Sequence, residues 1–289
     1  MSSSEISYFI DGIKQGIRAD GRACDAIRPM NLELGVVPTA NGSCRVRSKA
    51  CDILVAIKCD LSRPVAANLE EGAVNVVVEL GCGAVSRLQD FAGKQASFEA
   101  DALSETIGSH IASMCLSGLD RRLFCIQRGK ACWNVSVDVL VERIDGPLMD
   151  PVSIGIRGAF MNLELPAVAV VEDDEVDGDE QKSILPRVDL LGTLWRLPDS
   201  KLSAICVSIG VYCQDTVIMA DLDRTEESIA KLKGNSLITV AVNDAGECCG
   251  IHKFGSGSLD PLIMKNVIDS GISVGKEISC MLARLRPQH

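Results

Sequence analysis

Four carboxylates fall within seven residues at Asp221-Leu222-Asp223-Arg224-Thr225-Glu226-Glu227. Acids this dense can hold a divalent cation or position charge at a breaking bond. They can equally cap and solvate a turn. Groups that could grip an anion lie elsewhere. Arg18, Arg22 and Arg28 surround an Asp20-Gly21 turn signal that ends at Pro29. Their guanidinium forks can tie that turn to nearby carboxylates by charge-assisted bonds. Arg45, Arg47 and Lys49 share a face of a strand pair, with Lys58 further along. That is either a solvated sheet face or a small patch for a polyanion. Arg63 sits before Pro64 in one polar loop, and Arg87 and Lys94 sit in another.

Several chemistries drop out. The thirteen cysteines are odd in number, irregularly spaced and without a C-x-x-C pair, and Cys44, Cys59, Cys125 and Cys206 lie in apolar runs. They read as reduced, buried, small hydrophobes of a cytosolic or nuclear protein, an expectation that fits the lack of an apolar N-terminal signal. His110, His252 and His289 are far apart, so neither a metal nor any other cofactor is expected. Gly81-Cys82-Gly83 lacks the third glycine of a dinucleotide loop, and Gly271–Lys276 is one residue short of a phosphate loop and lies inside a helical pattern. Aromatics are only 3% and the net charge is −10, so neither a base-stacking platform nor strong binding of nucleic acid by bulk charge is expected. No apolar run reaches the length of a membrane span, and the run 172–180 is so acidic that it reads as a solvated loop.

The elements that must position these residues centre on 132–163. Val135, Val137, Val139 and Val141 alternate as the inner face of a strand. Asp145-Gly146-Pro147 ends it, and Asp150-Pro151 looks like a cap and first position for a helix over Val152–Leu163. That helix is apolar all round, so it belongs inside the domain, with Gly155, Gly158 and Ala159 letting neighbours come close. Before it, residues 5–17 predict a helix, 30–37 a strand, Asn41-Gly42 a hairpin, Val74–Leu80 a buried strand and Phe98–Leu116 a helix. After it come a strand at Val168–Val171, hairpins over 204–220 and 237–252, and a long helix from Pro261 to Leu285. Strands then a helix, twice over, predict an α+β fold at a length that suits one large unit or two intimate lobes.

In that order the chain resembles the RNase PH family. The likeness rests on Ile17–Arg22 with Arg28-Pro29, Gly42–Val46 leading into Cys51–Val55, the turn Asp145–Asp150, Val217–Asp221 with Glu226-Glu227, and Gly257–Asp260. It implies two pseudo-related β-rich lobes (1–185 and 186–289), central helices and a long C-terminal helix. Within the family the chain is most similar to the catalytically inert ring subunits of the eukaryotic RNA exosome. That implies a hetero-hexameric ring with other RNase PH-like subunits, S1/KH cap subunits and single-stranded RNA as partners, in the nucleus, nucleolus included, and the cytoplasm. It would also place Arg63, Arg87 and Lys94 at the RNA-lined lumen. Active members carry an Arg-bearing segment entering the first long helix and two acids six apart. Here the acids are Asp221 and Glu227, but Phe98–Leu116 has no Lys or Arg and carries Glu99, Asp101 and Glu105. Like charges about 4 Å apart cost on the order of 1 kcal/mol even in water. The expectation is a relic acidic site without catalysis; the alternatives are an active phosphate-dependent exoribonuclease or a freestanding RNA-binding protein.

Overall fold

The structure is a computed structural model that describes residues 3–65, 68–85, 100–170, 188–198, 202–212, 217–232, 234–255 and 258–285. Helix α1 (Ser3–Lys14) opens the chain. Strands β1 (Asn31–Leu34), β2 (Gly42–Arg47), β3 (Cys51–Ser62), β4 (Ala73–Leu80), β5 (Cys125–Gln127) and β6 (Ala131–Ile144) build the first sheet. Its order is β1-β2-β3-β6-β4 with β5 on β6. Helix α2 (Ala100–Cys115) lies between β4 and a short 3₁₀ turn at Arg121–Phe124. Helix α3 (Met149–Met161) follows β6. Strands β7 (Glu164–Val170) and β8 (Val188–Arg196) pair on either side of residues 171–187; the acidic run lies there, outside the described residues. The second lobe holds β9 (Ile205–Tyr212), β10 (Val217–Ala220), α4 (Arg224–Ala230), β11 (Ser236–Val242), β12 (Cys248–Phe254) and α5 (Pro261–Ala283). Its sheet runs β10-β9-β11-β12, every pair antiparallel. The α+β architecture of two β-rich lobes with central helices and a long last helix is as the sequence predicts.

The expected core unit forms. Val135, Val137, Val139 and Val141 are all buried, and every residue of α3 except Asp150 is too. One side of α3 meets β2 and β3 and the other meets β9, so the helix is shared by both lobes. A Cβ on Gly155 would stand 2.8 Å from Val55 Cγ2, and one on Gly158 would stand 2.6 Å from Cys44 Sγ. Small residues therefore set how near the sheet comes.

Four expectations differ from the fold. Asp150 does not cap α3: the N-cap is Leu148, with no side-chain cap bond, and Asp150 lies within the first turn. Its carboxylate instead accepts the Ser208 N–H of β9 at 3.0 Å. Asn41-Gly42 is not a two-residue hairpin turn. Asn41 Oδ1 accepts the Cys59 N–H, and Gly42 starts β2 where a Cβ would lie 2.5 Å from the Ala159 carbonyl oxygen. The antiparallel hairpin of β1 and β2 does form, but over the longer connection 35–41, which opens at Gly35 with φ +69° and closes at Asn41. β4 is not buried through its length. It is an edge strand, parallel to β6, that buries Val74 and Val78 and leaves Val77 50% exposed. Finally, the acidic turn after β10 is not solvated. It folds into α4 through a capping box between Asp223 and Glu226, and Glu226 and Glu227 are buried. The spacing Asp223-x-x-Glu226 is the signal that marks this helix in the sequence.

Candidate functional site

The arginines of the N-terminal strap and the acids after β10 meet in the fold, about 200 residues apart in sequence. Asp221 stands at φ +47°, a left-handed conformation that Asp tolerates better than most residues. Its side chain accepts Arg22 Nη1 at 2.9 Å, Arg28 Nε at 2.9 Å, Arg28 Nη2 at 2.6 Å and the Arg28 backbone N–H at 2.5 Å. Its carbonyl accepts Arg18 Nη2 at 2.8 Å and Arg22 Nη2 at 3.2 Å. Glu226 takes a two-pronged bond from Arg18, Nε to Oε1 at 2.9 Å and Nη2 to Oε2 at 2.6 Å. Arg18 is fully buried at its side chain and also donates to the carbonyls of Ala23 and Ala220. Arg22 donates to Asp20 and to the Ala26 carbonyl as well. Burial works against the charge of Arg28, yet the Asp221 carboxylate outweighs it and holds that guanidinium above its ordinary range.

The cluster is closed electrically and geometrically. Arg18, Arg22 and Arg28 face Asp20, Asp221 and Glu226, three charges of each sign. A guanidinium has five N–H donors. Arg18 makes five bonds with its own, and Arg22 and Arg28 make four each. Such a network ties two lobes together; it has little left with which to hold an incoming phosphate. Gly146 completes the seam, since a Cβ there would lie 2.6 Å from the Leu222 carbonyl oxygen.

Glu227 is engaged elsewhere. Its Oε1 accepts Lys231 Nζ at 2.7 Å along α4, and its Oε2 is buried with no hydrogen-bond partner. So Asp221 and Glu227 serve different partners. Among the described residues no three His, Cys, Asp or Glu side chains converge as a metal site would require. Arg63 follows the end of β3 and is exposed, while Arg87 and Lys94 lie outside the described residues. The strand-face patch is largely neutralised within the sheet: Arg45 bonds Asp52 and Glu142, and Arg47 pairs with Asp52.

Beside the arginine cluster is a cavity of about 30 Å³. Arg28, Ser48, Cys51, Asp150, Asp221 and Ile278 are in its wall. Asp150 Oδ1 is buried there without a partner, and burial pushes this carboxyl up to about 7. A second hollow of about 770 Å³ runs between β4 and α2. The charged side chains among its described walls are Glu79 and Glu105, with no Lys or Arg. Of the three helix acids expected to repel phosphate, Glu105 lines this hollow, while Glu99 and the Asp101 side chain lie outside what the structure describes.

Two family descriptions match the chain: 3' exoribonuclease family domain 1 over residues 26–166, and domain 2 over residues 203–274. The chain belongs to the 3' exoribonuclease (RNase PH) family. The seam ties residues 18–28, which lie before and at the start of the first match, to Asp221 and Glu226 within the second. Among similar proteins, the exosome complex component Rrp42 of Methanopyrus kandleri is 28% identical over 266 residues, covering 92% of this chain and 91% of the relative. The exosome complex component RRP45 of Danio rerio is 27% identical over 261 residues, 88% of this chain and 59% of the relative. The fold is shared with a chain of the Archaeoglobus fulgidus exosome with RNA bound to the active site, at a TM-score of 0.73 and 19% identity over 96% of this chain and 97% of that one. It is also shared with rice Rrp46, at a TM-score of 0.60 and 18% identity, covering 93% of this chain and all of the other.

Proposed function

We propose that this chain is a structural, catalytically inactive subunit of the six-membered RNase PH-like ring of an RNA exosome. It packs beside homologous subunits under S1/KH cap subunits and helps form the channel that guides single-stranded RNA to 3'-5' processing and degradation. It acts in the nucleus, nucleolus included, and in the cytoplasm. The relatives named as exosome components support the ring assignment, and so does the stretch Gly257–Pro261 leading into the last helix, which resembles that of exosome component seven. The observation that carries inactivity is the saturated cluster. Phosphorolysis needs an anion held by donors that are free to bind it, next to acids that position metal and charge. Here Asp221 is occupied by Arg22 and Arg28, Glu227 by Lys231, and the β4–α2 hollow presents carboxylates. Lumen contacts fall to Arg63, Arg87 and Lys94, through phosphates and without sequence preference.

The test is release of nucleoside diphosphates from single-stranded RNA with added phosphate and magnesium. The purified chain is expected to release none above background. Release that disappears in a folded Asp221→Asn protein would establish the opposite reading, an active phosphate-dependent exoribonuclease.

A further inference from the structure

The two lobes touch through sulfur. Cys115 is the last residue of α2 and Cys206 is the second residue of β9; both are fully buried. Their Sγ atoms are 3.6 Å apart. The backbones are drawn together beside them, because the Ala204 N–H donates to the Cys115 carbonyl at 2.8 Å. Cys206 is also fixed from the other side, its N–H donating to Ser153 Oγ of α3 at 2.9 Å. A disulfide needs the sulfurs at about 2.05 Å with the Cα atoms within about 7 Å. To bond, the sulfurs must close from 3.6 Å, between backbones that the Ala204–Cys115 and Cys206–Ser153 hydrogen bonds hold next to each other.

We propose that Cys115 and Cys206 form an oxidation site, in which a hydroperoxide converts the two thiols to a disulfide that staples α2 of the first lobe to β9 of the second. One thiolate attacks the peroxide oxygen and becomes a sulfenic acid as the O–O bond breaks, releasing an alcohol, or water from hydrogen peroxide. The second thiol attacks that sulfur and expels water as the S–S bond forms. Two thiols lose two electrons and two protons, and one peroxide is reduced. Burial pushes Cys44 and Cys59 up to about 12. Cys132 faces Cys125 across the β5–β6 ladder within the first lobe, whereas Cys115 and Cys206 face each other between the lobes. The hydrogen bond to the Cys115 sulfur, and burial after it, hold the proton on Cys206, so oxidation is slow and follows that of exposed Cys82 and Cys280. The cross-link closes a loop of about 90 residues, a length at which constraining the unfolded chain counts heavily.

The experiment treats the folded full-length protein with hydrogen peroxide, blocks remaining thiols after unfolding and maps tryptic peptides. The expected product joins the peptide 95–121 to the peptide 202–224 through Cys115 and Cys206, two hydrogens lighter, and is reversed by dithiothreitol. It is absent in Cys115→Ala and in Cys206→Ala. The linked protein melts higher than the reduced one by roughly 5 °C. If Cys82 and Cys280 oxidise while Cys115 and Cys206 stay fully alkylatable, or join other cysteines instead, the site does not exist. That result needs no variant to fold. A linked protein that melts no higher than the reduced one would overturn the staple.

Discussion

Arg18 offers five donors and meets five acceptors, with its side chain wholly out of water. Removing it leaves Glu226 buried and unpaired, which is the costly half of breaking a buried ion pair. Arg18→Met is therefore expected to lower unfolding free energy by about 3–5 kcal/mol in urea titration. Arg18→Lys keeps the charge but not the fork, and recovers less than half of that loss. A loss under about 1 kcal/mol for Arg18→Met would mean the strap is not fastened as described. Asp150 acts in the opposite sense. Its carboxyl, pushed by burial up to about 7, stays protonated in the fold at pH values where the unfolded chain ionises near 3.8. The folded state binds the extra proton, so the stabilising contribution is complete below about pH 4 and is lost as pH rises through about 7. The slope in between is at most about 1.4 kcal/mol per pH unit. Asp150→Asn should flatten this part of the pH–stability curve and gain on the parent protein above pH 7. Parallel curves for the two proteins from pH 5 to 8 would show that Asp150 is not the titrating group.

At the scale of elements, glycine positions decide how close the layers sit. Gly42 lets β2 run against the end of α3, and Gly271 and Gly275 let α5 lie on β11, with built Cβ atoms 2.9 Å from Val240 Cβ and 3.0 Å from Val242 Cβ. The glycines that imitate a phosphate loop are thus a packing device. Gly42→Ala drives a methyl into backbone and is expected to cost about 1–3 kcal/mol, read as a lower melting temperature. Gly16→Ala makes the contrast: no atom lies within 4 Å of its Cβ, but φ is +69°, so only local strain is felt. What is legible in the sequence follows the same division. Val135–Val141, the all-round apolar α3 and the start of α5 at Pro261 are local patterns; the strand and α5 form where the spacing predicts, and α3 forms with its start at Met149 rather than Val152. Asp150 and Asn41-Gly42 carry equally good local signals, but Ser208, Cys59 and Ala159 claim them from across the fold. The arginine strap is readable as a cluster seeking carboxylates; which ones it finds depends on how two lobes dock, and no spacing encodes that. The Asp223–Glu226 box is a local signal too, but the dense acidic run around it suggests solvent and hides it.

At the scale of the molecule, the first residues of the chain belong physically to its last third. Ile13 of α1 packs with Tyr212, Met219, Leu222 and Ile229, and the strap crosses to Ala220 and Asp221. With α3 shared by both sheets and Arg157 of α3 paired to Asp244, the lobes are joined by core, ions and backbone together. A subunit so internally neutralised at its seam must draw the polyanion contacts of the proposed ring from loops outside it. Arg63 is exposed at the end of β3. Changing Arg63, Arg87 and Lys94 together to Glu is expected to leave co-assembly with ring partners unchanged on size exclusion. RNA crosslinking to the assembled ring should fall several-fold, and the slope of log affinity against log salt should shrink by about 2, some 0.7 for each single-strand phosphate no longer neutralised. If assembly and salt slope both match the parent ring, these three residues do not face the RNA path.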